Sequence, residues 1–393
     1  MQIPIVRPEL GEAEAFAVAR VVRSGWVAQG PEVAAFECEL ASAIGAPQAV
    51  AVSSCTAALE LCLRALGVGL DDDVVTVSHS FIATANAVVA VGARPVFVDI
   101  DPATYGMDAR LLEAALTPKT RAILCVHQLG FACDLPAILE IASRRKIPVI
   151  EDAACAIGSE VQVADTWQAI GRPHGLAACF SFHPRKVITT GDGGMLTTAN
   201  PEFDRKFRLW RQHSMSVSDA VRHKSSRVTF EEYPELGYNY RLTDIQAAVG
   251  REQLKRLPAI VARRRELAAN YHRLLAGLPG VTLPAEPADA RSNWQSYSLR
   301  LPAGIDQTAV MQFMLDRGIA TRRGIMCSHR EPAYQGGQYR AAGPLTESEA
   351  AQDRCIILPL FHQMTAQEQD RVVAGLAEAV FDARRASSKA SFR

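Results

Sequence analysis

Between residues 48 and 198 the sequence alternates short β-branched runs with amphipathic stretches of helical period, and this alternation constrains the fold more than any other feature. Seven runs qualify: QAVAVS ending at Ser53, VVTVS at Ser78, PVFVD at Asp99, RAILCVH at His127, IPVIED at Asp152, ACFSFH at His183 and MLTT at Thr198. Strands interleaved with helices predict a mainly parallel, seven-stranded sheet covered by helices, an α/β fold. Several runs end in a polar residue, and open α/β sheets gather ligand-binding groups outside the carboxyl ends of their strands. A site is therefore expected along that edge before any motif is read.

Beyond residue 243 the pattern changes. LTDIQAAVGREQLKRL and, after Pro258, AIVARRRELAANYHRLLAGL predict a long charged helix bridging two lobes. A strand near Tyr297–Leu301, a helix from Gln307 to Arg317 and a last helix from Ala366 to Phe381 predict a smaller C-terminal α+β domain. At 393 residues the chain exceeds the size at which one core stops growing. The expected division is 1–255 for the large domain, 256–383 for the small one and 384–393 for a disordered tail.

Charge and composition narrow the partners. Lys plus Arg and Asp plus Glu are equal at 42 each, so nothing pulls the chain toward nucleic acid or an anionic membrane. No apolar run approaches the roughly 20 residues that span a bilayer, and MQIPIVRPELGEAEAF lacks the basic-then-apolar order of a signal peptide. A cytoplasmic protein is expected. The nine cysteines, an odd number with no CxxC pair, fit buried thiols in a reducing compartment, and no metal is expected.

The most informative stretch is ACFSFHPRKVITTGDGGMLTT. It places Lys186 on a turn after a strand and before Gly191, Gly193 and Gly194, which permit close backbone approach by a bulky group. A surface cation beside a glycine-rich hairpin would look the same. A lysine that forms a Schiff base must lose its proton, and burial against apolar neighbours would depress its pKa. Asp152, at the end of PVIED, is an ordinary N-cap candidate. Paired with a lysine bound to pyridoxal phosphate (PLP), the same carboxylate would keep the pyridine nitrogen protonated. Glu151 points to the opposite strand face.

SSCTAALEL puts Ser53, Ser54 and Thr56 before a helix, where free N–H groups and the helix dipole would hold a phosphate, or where simple capping would suffice. Ser181 is a second phosphate donor or a buried serine. Phe81, in SHSFIATAN, could lie against a cofactor ring or belong to the core.

Together these segments resemble the DegT/DnrJ/EryC1/StrS family of sugar aminotransferases, which have the type I PLP-dependent transferase fold. The resemblance runs from SGWVAQGPEVAAFE through SSCTAALEL, SHSFIATANAV, GARPVFVDIDPATY, IEDAACAIGS, FSFHPRKVITTGDGGML and LGYNYRLTDIQAAVG to LPLFHQMTAQEQDRVV. It implies that Lys186 carries the cofactor and shuttles the proton, and that Asp152 pairs with the pyridine nitrogen. Phe81 would stack on the ring, while Cys55, Thr56 and Ser181 would hold the phosphate. Asn239 would reach the neighbouring subunit's phosphate, making a homodimer with shared active sites.

Cys55 replaces a usual glycine, and Cys155 stands where many members place glutamine or histidine over the ring. EVQVADTWQAIGRPHGLA is longer than the common spacing, which suggests an extra loop near the cleft. His183, Arg322, Arg323, His329 and Tyr334 are where such enzymes approach substrate. The implied reaction moves an amino group, with L-glutamate as donor, to a keto group of a nucleotide-activated deoxysugar. A cyclitol ketone is the alternative acceptor. Dehydration of keto-sugars is the other chemistry of the family, and Lys186 speaks against it, since the dehydratases carry histidine there. No GxGxxG follows the first strand, which argues against a nicotinamide dehydrogenase.

Overall fold

The computed structural model describes residues 2–217, 222 and 225–390. The expected strands form as β1 (Gln48–Val52), β2 (Asp73–Val77), β3 (Arg94–Val98), β4 (Thr120–Val126) and β5 (Val149–Asp152). A hairpin of β6 (Glu160–Val163) and β7 (Thr166–Ala169) follows, then β8 (Ala177–Ser181) and β9 (Gly194–Thr198). The C-terminal part adds β10 (Ala290–Arg291), β11 (Tyr297–Arg300), β12 (Arg322–Arg323), β13 (Arg340–Ala341) and β14 (Cys355–Leu358).

The main sheet runs β1-β9-β8-β5-β4-β2-β3-β13. Its strands are parallel from β8 to β13, while β9 runs antiparallel to both β1 and β8. It therefore has eight strands where the sequence predicts seven. The eighth is two residues long, too short to show a period of two, and comes from the segment assigned to the smaller domain. Helices cover both faces, and Ala122, Ile123, Leu124 and Cys125 of β4 are fully buried. Burying a Leu or Ile side chain contributes roughly 2 kcal/mol.

The long helix Asp244–Leu275 opens with a capping box in which Thr243 and Gln246 exchange hydrogen bonds between side chain and backbone. The Asp244 carboxylate accepts the N–H groups of Gly30 (2.8 Å), Glu32 (3.1 Å) and Val33 (3.0 Å), fixing the start of the helix Pro31–Ile44. The helix passes through Pro258 without a break, held by the buried side chains Leu254, Leu257, Ile260 and Val261. It also crosses residue 255, the expected boundary.

A three-stranded sheet, β11-β14-β12, packs with the helices Gln307–Asp316 and Ala366–Ala390. That last helix continues into the stretch expected to be disordered, whose Ala, Arg and Lys residues favour helix. Residues 391–393 lie outside the described residues. Among the described residues no helix is long and apolar enough to cross a membrane.

Candidate active site

The carboxyl edge of the main sheet carries a cavity of about 300 Å³. Cys55, Thr56, Phe81, Asp152, Cys155, Ser181, His183, Lys186, Arg322 and Arg323 all line it, although they come from five separate segments of the chain. Asn239, His329 and Tyr334 do not.

Asp152 is the last residue of β5, and strand alternation turns it away from Glu151. Its carboxylate accepts the Thr84 hydroxyl at 2.7 Å and the Ala154 N–H at 3.1 Å, and Thr84 in turn bonds Ser80 at 2.8 Å. Thr84 lies one helical turn beyond Phe81, so the motif around Phe81 carried a signal for it that sequence reasoning missed.

Lys186 sits in the turn after β8, where its N–H bonds the His183 carbonyl. Its Nζ donates to Cys155 Sγ at 3.1 Å. Burial pushes the ammonium pKa down, but Cys155, Asp152 and Cys55 outweigh burial and leave it raised. The expected net depression is thus reversed, because the surroundings are two sulfurs and a carboxylate rather than hydrocarbon.

The helix Cys55–Ala65 starts at this cavity. Ser54 is its N-cap, accepting the Ala57 N–H at 3.1 Å. The Cys55 and Thr56 N–H groups have no acceptor within the helix, and they stand at its positive end. The Cys55 sulfur turns inward to the Cys179 carbonyl (3.5 Å), and burial beside Asp152 pushes its thiol pKa well up. Room for this loop comes from β9. A Cβ on Gly194 would lie 2.4 Å from Ser54 C and 2.6 Å from Cys55 N, so only glycine lets the two backbones meet.

Phe81 lines the cavity while 52% exposed, unlike a core aromatic. Ser181 Oγ accepts the His183 N–H at 3.4 Å, and His183 Nδ1 accepts the Arg185 N–H at 3.2 Å. Burial, then Arg185, lowers the His183 pKa, so the ring is neutral near pH 7. Two further residues arrive from the distant segment 293–295. Asn293 donates to the Cys155 carbonyl (2.9 Å), and Gln295 donates to the Arg185 carbonyl (3.0 Å). No local pattern in the sequence marks either.

The residues outside the cavity have other partners. His329 bonds Ser78 Oγ through Nδ1 (2.7 Å) and Glu349 through Nε2 (3.1 Å). Tyr334 is buried, with its hydroxyl on Asn86 (2.8 Å) and its ring beside Phe97. Both bond residues of the sheet edge from the C-terminal segment, and neither lines the cavity. Asn239 is exposed, its backbone bridged to Gln212. The expected extra loop is the β6–β7 hairpin, which pairs with β10 and does not line the cavity.

One cavity thus offers an amine, a carboxylate anchored by a hydroxyl and an N–H, a helix start with free donors, and an open aromatic face. These residues fit PLP: Lys186 for the aldehyde, Asp152 for the pyridine nitrogen, Cys55 and Thr56 for the phosphate, and Phe81 for the ring.

The sequence model of the DegT/DnrJ/EryC1/StrS aminotransferase family matches residues 8–377. Among solved structures, the chain is similar to the aminotransferase TlmJ from Streptoalloteichus hindustanus, with 35% identity, a TM-score of 0.88, and 97% of this chain and 99% of that one covered. It is also similar to DesV from S. venezuelae in complex with a ketimine intermediate, with 33% identity, a TM-score of 0.85, and 96% and 98% covered. Spr1654 from Streptococcus pneumoniae in its PLP form gives 28% identity, a TM-score of 0.89, and 98% and 100% covered.

Proposed function

Because the chain belongs to the DegT/DnrJ/EryC1/StrS aminotransferase family, whose members use PLP to aminate sugars, we propose that it moves an amino group from L-glutamate to a keto group of a nucleotide-activated deoxysugar. The observation that carries this reading is the meeting of Lys186 and Asp152 with Arg322 and Arg323 in one cavity.

When bound, PLP supplies an electron sink for the carbanion formed at the substrate carbon. Lys186 is the base and acid, taking the proton from the donor's α-carbon and returning a proton to the acceptor carbon. Asp152 holds a proton on the pyridine nitrogen, and the Thr84 hydroxyl with the Ala154 N–H keeps that carboxylate aimed. Cys55, Thr56 and Ser181 bind the phosphate, and Phe81 closes one face of the ring. Arg322 and Arg323 are exposed at the cavity and suit the diphosphate of a sugar nucleotide, since guanidinium forks match phosphate oxygens. A cyclitol carries no diphosphate and would give the two arginines no phosphate to bind.

We read the large domain as 1–255, the small one as 256–383, and the assembly as a cytoplasmic homodimer in which Asn239 completes the partner's phosphate site. Support for the dimer comes from the segment leading to Asn239, where Val228, Phe230 and Leu236 are 87%, 85% and 89% exposed.

The test is the visible spectrum of the PLP-loaded protein before and after L-glutamate, beside a Lys186→Ala variant. Loss of the lysine-bound cofactor's band on adding glutamate, absent in the variant, is the expected result. A band that ignores glutamate would overturn the donor assignment. Amination of a keto-cyclitol but not of a nucleotide-linked keto-sugar would overturn the acceptor.

A further inference from the structure

One cluster of ligand-bearing side chains lies outside the machinery described so far. Cys125 on β4, His127 just beyond its end and Cys133 in the following loop bring three ligand atoms within 4.8 Å of one another. They are 0%, 0% and 2% exposed. His127 Nε2 lies 3.1 Å from Glu151 Oε2, and the other Glu151 oxygen accepts the N–H groups of His174 (3.3 Å) and Gly175 (3.2 Å). The carboxylate is therefore fixed, and its Oε2 accepts a hydrogen bond from the Nε2–H. The Nδ1 then accepts the Cys133 N–H at 3.3 Å, with the Cys133 Sγ 3.7 Å away, so a metal at this nitrogen takes the place of that backbone hydrogen bond. A carboxylate that fixes one ring nitrogen so that the other presents its lone pair is the usual arrangement behind a metal-bound histidine.

We propose that Cys125, His127 and Cys133 bind one zinc ion in a structural site. Two sulfurs and an imidazole suit zinc and exclude magnesium or calcium, which take oxygen ligands. Bonds of about 2.3 Å to sulfur and 2.0 Å to nitrogen put tetrahedral ligands about 3.5–3.8 Å apart. The Cys133–His127 pair already stands at 3.7 Å. Binding releases the two thiol protons, so the divalent charge meets two thiolates and the site adds no net charge to the core. Loss of the Cys125 thiol proton gives up its hydrogen bond to the Ile150 carbonyl oxygen, 3.6 Å away.

His127 itself belongs to the cavity wall, and the ion, buried behind that wall, acts on the loop between its ligands. That loop holds Gln128 and Leu129, which line the cavity, and Leu129 is in the left-handed region at φ 60°. The His127 N–H also donates to the Asp152 carbonyl at 3.0 Å. Zinc here clamps the cavity wall to the strand that delivers Asp152. Cysteine spacing does not announce the site, because its ligands lack a CxxC pair and meet only through the strand end and the turn that follows.

The experiment is metal analysis by mass spectrometry of the PLP-loaded protein, grown with zinc and purified without chelator. Cys125→Ser and Cys133→Ser are compared with a Cys155→Ser control. About one zinc per chain is expected in the parent and the control, and less than about a tenth of that in the two variants. Zinc below a tenth per chain in the parent, zinc unchanged in both variants, or a Cys125–Cys133 disulfide in the peptide map would each overturn the proposal. Should the variants fail to fold, cobalt supplied to the parent during growth decides: thiolate-to-cobalt charge-transfer absorption with tetrahedral visible bands supports the site, and their absence sinks it.

Discussion

The Nζ of Lys186 donates to Cys155 Sγ at 3.1 Å, so the amine we propose as the one that captures the cofactor begins in contact with a sulfur. Burial works against that ammonium, yet Cys155, Asp152 and Cys55 together hold its pKa above the usual lysine value. Capture of an aldehyde needs the neutral amine. The rate of PLP capture by cofactor-free protein should therefore climb with pH through the whole accessible alkaline range. Cys155→Ala should be several-fold faster at pH 7.5, with its profile moved to lower pH. Stopped-flow absorbance gives both profiles, and coincident curves would show that the contact does not set the proton affinity.

Thr84 reaches Asp152 through its hydroxyl at 2.7 Å, and the same oxygen is held by Ser80 at 2.8 Å. Thr84→Val keeps the shape and leaves the carboxylate with the Ala154 N–H as its remaining close donor. A lost hydrogen bond to a charged group costs about 1.5–3 kcal/mol, so the Kd for PLP should rise roughly ten- to a hundredfold. Thr84→Ser should restore most of it. Equilibrium dialysis measures the change, and an unaltered Kd in Thr84→Val would remove Thr84 from the site.

Gly194→Ala tests the phosphate loop. Its Cβ would fall on main-chain atoms of Ser54 and Cys55, which cannot rotate aside. Displacing them should cost about 1–3 kcal/mol of stability. It should also weaken PLP more than pyridoxal, which has no phosphate. Equal losses for the two ligands would mean that the loop does not hold the phosphate.

Most of this arrangement could be read from the chain because it depends on local rules. A polar residue closing an apolar strand placed Asp152, and a small polar run before a helix placed Ser54 and Thr56. A turn after β8 placed Lys186. What escaped reading depends on long-range approach. Asn293 and Gln295 reach the Cys155 and Arg185 carbonyls from more than a hundred residues away, and β13 adds only two residues to the sheet. The pKa of Lys186 went the wrong way for the same reason, since its sign depends on Cys155 and Cys55, which approach from other elements. The resemblance places His329 and Tyr334 in the region where such enzymes approach substrate, and in the fold their side chains bond Ser78, Glu349 and Asn86.

Acid stability should centre on Glu37, a buried carboxylate facing two arginines. Its oxygens accept the Ala51 N–H (2.9 Å), Arg208 (2.7 Å) and Arg211. Burial pushes its pKa up, but Arg211, then Arg208 and the Ala51 N–H, prevail and hold it below the usual value. A carboxylate whose folded pKa lies below its unfolded one stabilises the fold at all pH values above the unfolded pKa, about 4.3. That contribution disappears as pH falls through the folded value. Glu37→Gln keeps the size of the side chain but strands the charge of Arg211, which is itself only 5% exposed. Breaking such a pair costs about 3–5 kcal/mol near pH 7. The gap between parent and variant should then shrink below pH 4.3, as the parent's Glu37 takes up its proton and loses the same pairing. Urea midpoints from pH 7 to pH 3 follow the gap, and a constant difference across that range would mean that Glu37 is not the group whose protonation drives acid unfolding.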